Sequence, residues 1–249
     1  MDREELYEKK MKQLFGNTDS LLTDTDPEFT AISDKFIFGE VYNHGKLTDK
    51  QRILITLCVL TAGGTFKGFK KYVKAGLNTG LSPEEIKEAL YQCAPYTGFP
   101  KAIKAVDKAN KVFKKYGITL PVENSTRTNE ENRFAEGFKV QESIFGNRIS
   151  QMHKNAPENQ KHIQNYLSAM CFGDFYTRSG LDLKMRELLT LCIISALGGC
   201  ENQLRSHAGG NLSVGNDKDI MIEAVTQCMP YIGFPRTLNA LSCINEAAL

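Results

Sequence analysis

The sequence predicts an all-α protein built as a tandem duplication of one helical unit of five to six helices. Three observations carry that expectation. Long segments recur in the same order at a near-constant spacing. Within each copy the apolar residues repeat with helical period, and capping residues stand where helices should start. Neither Val/Ile-rich alternating runs nor Asn-Gly hairpin signals occur.

The repeat is read directly. Phe38-Gly39-Glu40-Val41-Tyr42 returns as Phe172-Gly173-Asp174-Phe175-Tyr176, and Arg52-Ile53-Leu54-Ile55-Thr56-Leu57-Cys58 as Arg186-Glu187-Leu188-Leu189-Thr190-Leu191-Cys192. Gln92-Cys93-Ala94-Pro95-Tyr96-Thr97-Gly98-Phe99-Pro100 returns as Gln227-Cys228-Met229-Pro230-Tyr231-Ile232-Gly233-Phe234-Pro235. The offset is 134 from Cys58 to Cys192 and 135 from Cys93 to Cys228, so the second copy gains one residue, placed near Gly198-Gly199. A Gly, Pro and Ser/Thr/Asn-rich stretch separates the copies. The division is therefore residues 1–118, a linker at 119–130, and residues 131–249.

Each element has a local reason. Leu54, Cys58, Thr61 and Ala62 share one helical face, as do Leu188, Cys192, Ser195 and Ala196. Ser82-Pro83-Glu84-Glu85 is a helix start with a capping box and proline in the first turn. Asp217 is the corresponding cap in the second copy, and Gly80 and Gly215 suit the helix ends upstream. The segment from Tyr96 to Pro100 ends one helix and opens another running to about Tyr116.

Composition narrows the function. The chain has 249 residues, 41% hydrophobic and 24% charged, with net charge +2. That balance argues against a nucleic-acid partner, which requires a basic face. No apolar run reaches the ~20 residues of a membrane span, and the N-terminus has no signal-peptide pattern. The seven cysteines are read as reduced thiols of a cytoplasmic protein. Four histidines are present. His207 shares a helical stripe with Cys200 and Gln203 and is a candidate acid or base, or else a packed interface histidine. His44 reads as a helix-end residue, and His153 and His162 as surface residues. There is no HExxH or CxxC pattern, so no metal site is expected.

Taken together, the Phe-Gly-x-x-Tyr, Arg-x-Leu-x-Thr-Leu, helix-histidine and Tyr-x-Gly-Phe-Pro elements resemble the carboxymuconolactone decarboxylase family, which also includes alkylhydroperoxidase-D-like proteins. The resemblance is best over residues 38–102 and 172–240. It implies an all-helical unit in a homo-oligomer, here a trimer of two-repeat chains, acting on a small-molecule substrate without a cofactor. By resemblance His207 matches the family's helix histidine, Arg186 its core arginine and Arg178 the arginine before the turn; the first copy holds Tyr72, Arg52 and His44 there. The family's second histidine is replaced by Gln92 and Gln227, and the peroxidase branch's CxxC is reduced to Cys200 and Gln203. Glu187 resembles the acid that supports the thiols in that branch.

The leading expectation is a carboxy-lyase acting on a small carboxylated lactone. His207, Cys200 and Glu187 are its catalytic candidates, and Arg186, Arg178, Gln203 and Gln227 its substrate-binding candidates. Both arginines could equally serve ion pairs. The alternatives are a thiol peroxidase or reductase using Cys200, and a non-catalytic binding or assembly protein.

Overall fold

The computed structural model describes residues 2–248, and among them there is no strand. The first half contains α1 (Arg3–Phe15), α2 (Pro27–Asp34), α3 (Asp49–Ala62), α4 (Phe69–Asn78), α5 (Pro83–Gln92), a single turn α6 (Ala94–Thr97) and α7 (Phe99–Lys115). The second contains α8 (Arg133–Phe145), α9 (Arg148–Asn155), α10 (Lys161–Tyr166), α11 (Leu183–Leu197), α12 (Glu201–Ser213) and the long α13 (Lys218–Ala247). A wide π-helical run continues α2 over Lys35–Glu40 and α10 over Leu167–Tyr176.

The caps form where expected. Ser82 accepts from Glu85 N (3.0 Å) while Glu85 accepts from Ser82 N (2.7 Å), and Asp217 Oδ1 accepts from Ile220 N at 2.8 Å. Gly98 and Gly233 adopt the same positive-φ conformation, φ 81° and 78°. That backbone, disfavoured for a residue with Cβ, turns the chain between α6 and α7 and kinks α13 at the matching point. The glycine of Phe-Gly-x-x-Tyr has a different reason. A Cβ on Gly39 would lie 2.6 Å from Arg3 O, and one on Gly173 2.1 Å from Arg133 O. Only glycine lets α1 and α8 pack that closely on the π-helical runs.

The one-faced pattern expected for the central helices is exceeded. Every residue from Arg52 to Ala62 is buried, and so is every residue from Arg186 to Ala196. Both helices lie at the centre, against each other and against α13, so they bury their whole circumference. One core holds residues of both halves, including Leu57, Cys58, Leu90, Leu191, Cys192 and Cys228. Their C-termini are closed alike, with Lys101 Nζ on Ala62 O (2.6 Å) and Arg236 Nη1 on Ala196 O (2.7 Å). Cations there satisfy carbonyls left without helical partners.

The segment at 119–130 is tied down rather than free. Ser125 is buried and donates to Glu84, Ser179 N donates to Ser125 O (3.0 Å), and Thr128 donates to Gly173 O (3.0 Å). His153, expected at the surface, is half-buried. Its Nε2 lies 3.0 Å from Ser168 Oγ, and its ring meets Phe138 edge-on.

Candidate active site

The second repeat places a carboxylate and an imidazole in contact at its centre. Glu187 projects from α11 and is fully buried; His207 projects from α12 and is 8% exposed. His207 Nδ1 stands 2.9 Å from Glu187 Oε2, while Nε2 has no hydrogen-bond partner among the described residues. Asn211 fastens the two helices, donating to Glu187 O (3.0 Å) and His207 O (2.8 Å), and Asn216 donates to Asn211 Oδ1 at 2.7 Å. Gly210 makes room, since a Cβ there would sit 2.6 Å from Glu187 Oε2. The first copy has Ile53, Tyr72, Ala75 and Gly76 at the positions of Glu187, His207, Gly210 and Asn211.

The other carboxylate oxygen is reached from both repeats. Tyr176 OH donates to Glu187 Oε1 at 2.7 Å. With its proton directed there, Tyr176 accepts from Thr190 Oγ1 (2.9 Å) and from Tyr96 OH (3.0 Å). Thr190 in turn accepts from Gln92 Nε2 (3.1 Å), and Tyr96 from the Cys171 thiol (3.7 Å). All the donors therefore run toward the one carboxylate. Burial first, then the Glu187 charge, holds the Tyr176 hydroxyl well above the usual phenol range. Tyr96 is raised by burial and by Cys171 and Glu187. Both remain proton donors at neutral pH. The imidazole lies between the edges of Tyr96 (5.7 Å between centroids) and Phe145 (5.2 Å).

Tyr96 and Gln92 belong to the first repeat, so each repeat reaches into the other's polar network. α5 packs on α11 as well as on α3, and α13 packs on α3 as well as on α11 and α12. Gln227, expected to serve its own copy's site, instead accepts from Arg52 Nη1 (3.0 Å) and donates to Thr56 (3.2 Å). Gln92 is the residue that stands in the second repeat's network. In the first repeat the matching contact is Tyr72 OH to Tyr231 OH at 2.9 Å, with neither acid nor imidazole.

The remaining candidates separate from the pair. Arg186 is fully buried and its guanidinium is engaged by protein groups: Glu88 Oε2 (2.8 Å), Gln92 Oε1 (3.0 Å) and the carbonyls of Arg178 and Ser179. Only its Nε lacks a partner. This is the ion-pair placement, with no surface left for a substrate carboxylate. Arg178 shares Glu88 through Nε (2.8 Å) and reaches Thr126 through Nη1 (2.9 Å). It also lines an apolar cleft of about 560 Å³ with Tyr91, Phe99, Ile103 and Phe175. Gln203 is exposed. Cys200 is the N-cap of α12, its thiol on Gly198 O (3.5 Å), outside the Glu187–His207 network. Among the described residues no cluster of His, Cys, Asp and Glu is arranged to hold a metal.

The duplicated helical fold agrees with what comparison finds. The model of the carboxymuconolactone decarboxylase family matches residues 27–111 and again 161–246, and the chain belongs to that family. It is similar to a 4-carboxymuconolactone decarboxylase of Acinetobacter baylyi, 29% identical over 47% of this chain and 88% of the relative. It is also similar to a nitrosuccinic acid decarboxylase of Metarhizium robertsii, 30% identical over 47% of this chain and 85% of the relative. Each relative corresponds to about half of this duplicated chain. No helix among the described residues is long and apolar enough to cross a membrane.

Proposed function

We propose that the chain is a cofactor-independent decarboxylase of a small carboxylated acid, with one working centre in the second repeat. The observation that carries this is the buried Glu187–His207 contact, which orients the ring by Nδ1 and leaves Nε2 unengaged. Loss of CO₂ breaks a carbon–carbon bond and leaves its electron pair on the substrate. That pair needs an adjacent electron-withdrawing group to receive it, and the carbon then needs a proton. In the proposed step His207 Nε2–H supplies that proton as general acid and is recharged from water, while Glu187 balances the imidazolium. The names of both relatives carry a carboxylic acid with a second withdrawing group, a lactone in one and a nitro group in the other. A small carboxylated lactone or nitro acid is the substrate class this supports.

In this reading Arg178, paired with Glu88 and bordering a cleft whose lining does not include His207, is the more accessible of the two arginines, while Arg186 is enclosed. A homo-oligomer, with a trimer presenting six repeats, is supported by a matched exposed stripe: Phe99 and Ile103 in one repeat, Phe234 and Leu238 in the other. A cytoplasmic setting fits the reduced thiols.

The test is CO₂ release from carboxylated lactones and nitro acids by the wild-type protein, His207→Ala and Cys200→Ser. Turnover by wild type and Cys200→Ser, with at least a ~100-fold loss in His207→Ala, is expected for a general acid. Unchanged turnover in His207→Ala overturns the role. Hydroperoxide consumption that vanishes in Cys200→Ser would instead support a thiol peroxidase.

A further inference from the structure

The first repeat lacks the acid–imidazole pair, yet it carries a feature that the second does not. Between α4 and α7, with the α1 end, lies a cleft of about 590 Å³ whose wall includes Lys70, Lys71, Lys74, Lys111 and Lys115. Lys70 and Lys74 are one turn apart on α4, as Lys111 and Lys115 are on α7, so each helix presents two ammonium groups on one face. Lys71 is half-buried, donating to Asp19 O (2.9 Å) and lying 4.2 Å from the Phe15 ring centroid. Lys111 pairs with Asp107 at 2.6 Å. Among the described residues no carboxylate lies within salt-bridge distance of Lys70, Lys74 or Lys115.

The second repeat is an internal control for what this position needs structurally. At the places of Lys70 and Lys111 it has Arg205 and Glu246, which form a salt bridge with each other. At the places of Lys71 and Lys74 it has Ser206 and Gly209. The fold is thus satisfied by an ion pair there, and the lysine cluster is not a requirement of packing. In the first repeat the pair has become two like charges joined by three more, with no internal anion to balance most of them. Asp19 also lines the cleft, so five ammonium groups face one carboxylate, and a concave wall dominated by one sign focuses its field and favours an anion with several charges.

We propose that this cleft binds a small organic polyanion, one carrying two or more phosphate or carboxylate groups on an apolar or aromatic body. Its volume falls in the ~300–1,000 Å³ range of small-molecule sites. Leu14, Phe15, Val112 and the exposed ring of Tyr116 supply an apolar floor and rim for the body. The near-neutral charge of the whole chain, +2, fits a local small-molecule site better than a nucleic-acid face. No residue of the Glu187–His207 centre takes part, so this proposal and the decarboxylase reading stand or fall separately.

The test is calorimetric titration of the full chain with ATP, pyrophosphate, adenosine and heparin as probes, at about 0.15 M salt, where exposed charges are screened beyond ~8 Å. Saturable one-to-one binding of ATP, weaker binding of pyrophosphate and none of adenosine are expected. Lys111→Glu, which restores the second repeat's charge arrangement, should weaken ATP at least ~10-fold, a change of about 1.4 kcal/mol. It should leave the helical circular-dichroism spectrum intact. Lys154→Glu, on the exposed face of α9, should leave ATP binding unchanged. Absence of saturable binding by ATP and pyrophosphate overturns the proposal, as does equal weakening by Lys111→Glu and Lys154→Glu. Binding of heparin unaffected by Lys111→Glu and tighter than that of ATP also overturns it, in favour of an open surface for a macromolecule.

Discussion

Tyr96 of the first repeat and Tyr176 of the second share a hydroxyl–hydroxyl hydrogen bond of 3.0 Å, and through it the degenerate repeat reaches the carboxylate that holds His207. Tyr96→Phe keeps the ring against the imidazole and removes only the hydroxyl. The buried Tyr176 oxygen then loses one partner, at a stability cost of about 1 kcal/mol. Turnover should fall through kcat with KM little changed, because the hydroxyl reaches Glu187 and His207 only through Tyr176. An equal drop in stability with unaltered kcat would reduce Tyr96 to packing.

Gly210→Ala tests the close approach of α12 to Glu187. In an ordinary helix interior this change stabilises by up to about 1 kcal/mol. Here the new Cβ falls 2.6 Å from Glu187 Oε2 and 2.9 Å from the Phe145 ring, so the carboxylate must leave its place beside Nδ1. Activity should fall at least ~10-fold, and the denaturant midpoint should fall rather than rise, because a buried carboxylate loses hydrogen-bond partners. The first repeat already has alanine there, at Ala75, where Ile53 replaces the carboxylate.

Glu88 balances the two arginines at the junction of the repeats, with Arg186 at 2.8 Å and Arg178 at 2.8 Å. Glu88→Ala leaves a fully buried guanidinium without its counter-charge, and removing one partner of a buried pair costs about 3–5 kcal/mol. Urea denaturation should show that loss. Lys12→Ala, which breaks only the exposed pair with Glu8, should cost less than ~0.5 kcal/mol.

The duplication, the helix starts and the break at Tyr96–Pro100 were legible because each is a local pattern: a repeated string, a capping box, a glycine with a proline two residues on. The contacts across the repeats were not. A repeat at constant spacing does not say that Gln92 on α5 reaches across to Thr190 and Arg186, so Gln227 was assigned to the site that Gln92 occupies. The arginines were ambiguous for a similar reason, since Glu88 lies far from Arg186 in sequence. Asn211 and Gly210 went unnoticed, although a signal existed. Aligning the copies shows Glu187 against Ile53, His207 against Tyr72, Gly210 against Ala75 and Asn211 against Gly76. Four polar or size changes cluster on two facing helices, which is where one copy gained or lost chemistry.

Alkaline pH should unfold the protein from within. Burial pushes the Cys171 thiol from an ordinary value of 9.0 up to about 12, and raises Tyr42, Tyr96, Tyr176 and Tyr231 well above 10.0. These groups are neutral when protonated, so a raised folded pKa means the unfolded chain loses its protons first. Their stabilising effect is complete below the unfolded value and is lost as pH rises through the folded one. Denaturant midpoints should therefore be flat to about pH 8 and fall steadily above about pH 9. Cys171→Ser should lessen that slope.

The seven thiols should divide sharply by reactivity. Six are buried, and Cys200 alone is partly exposed, at the N-cap of α12. The thiolate is the reacting form, and a thiol at about 12, as at Cys171, is ionised only about one part in 10⁴ at pH 8. Titration of the native protein with a thiol-specific chromogen at pH 8 should give one fast equivalent, and the unfolded protein seven. Cys200→Ser should remove the fast equivalent without changing decarboxylation. If the fast equivalent persists, the reactive thiol lies elsewhere. If decarboxylation is lost as well, Cys200 has a part in the reaction that its placement outside the Glu187–His207 network argues against.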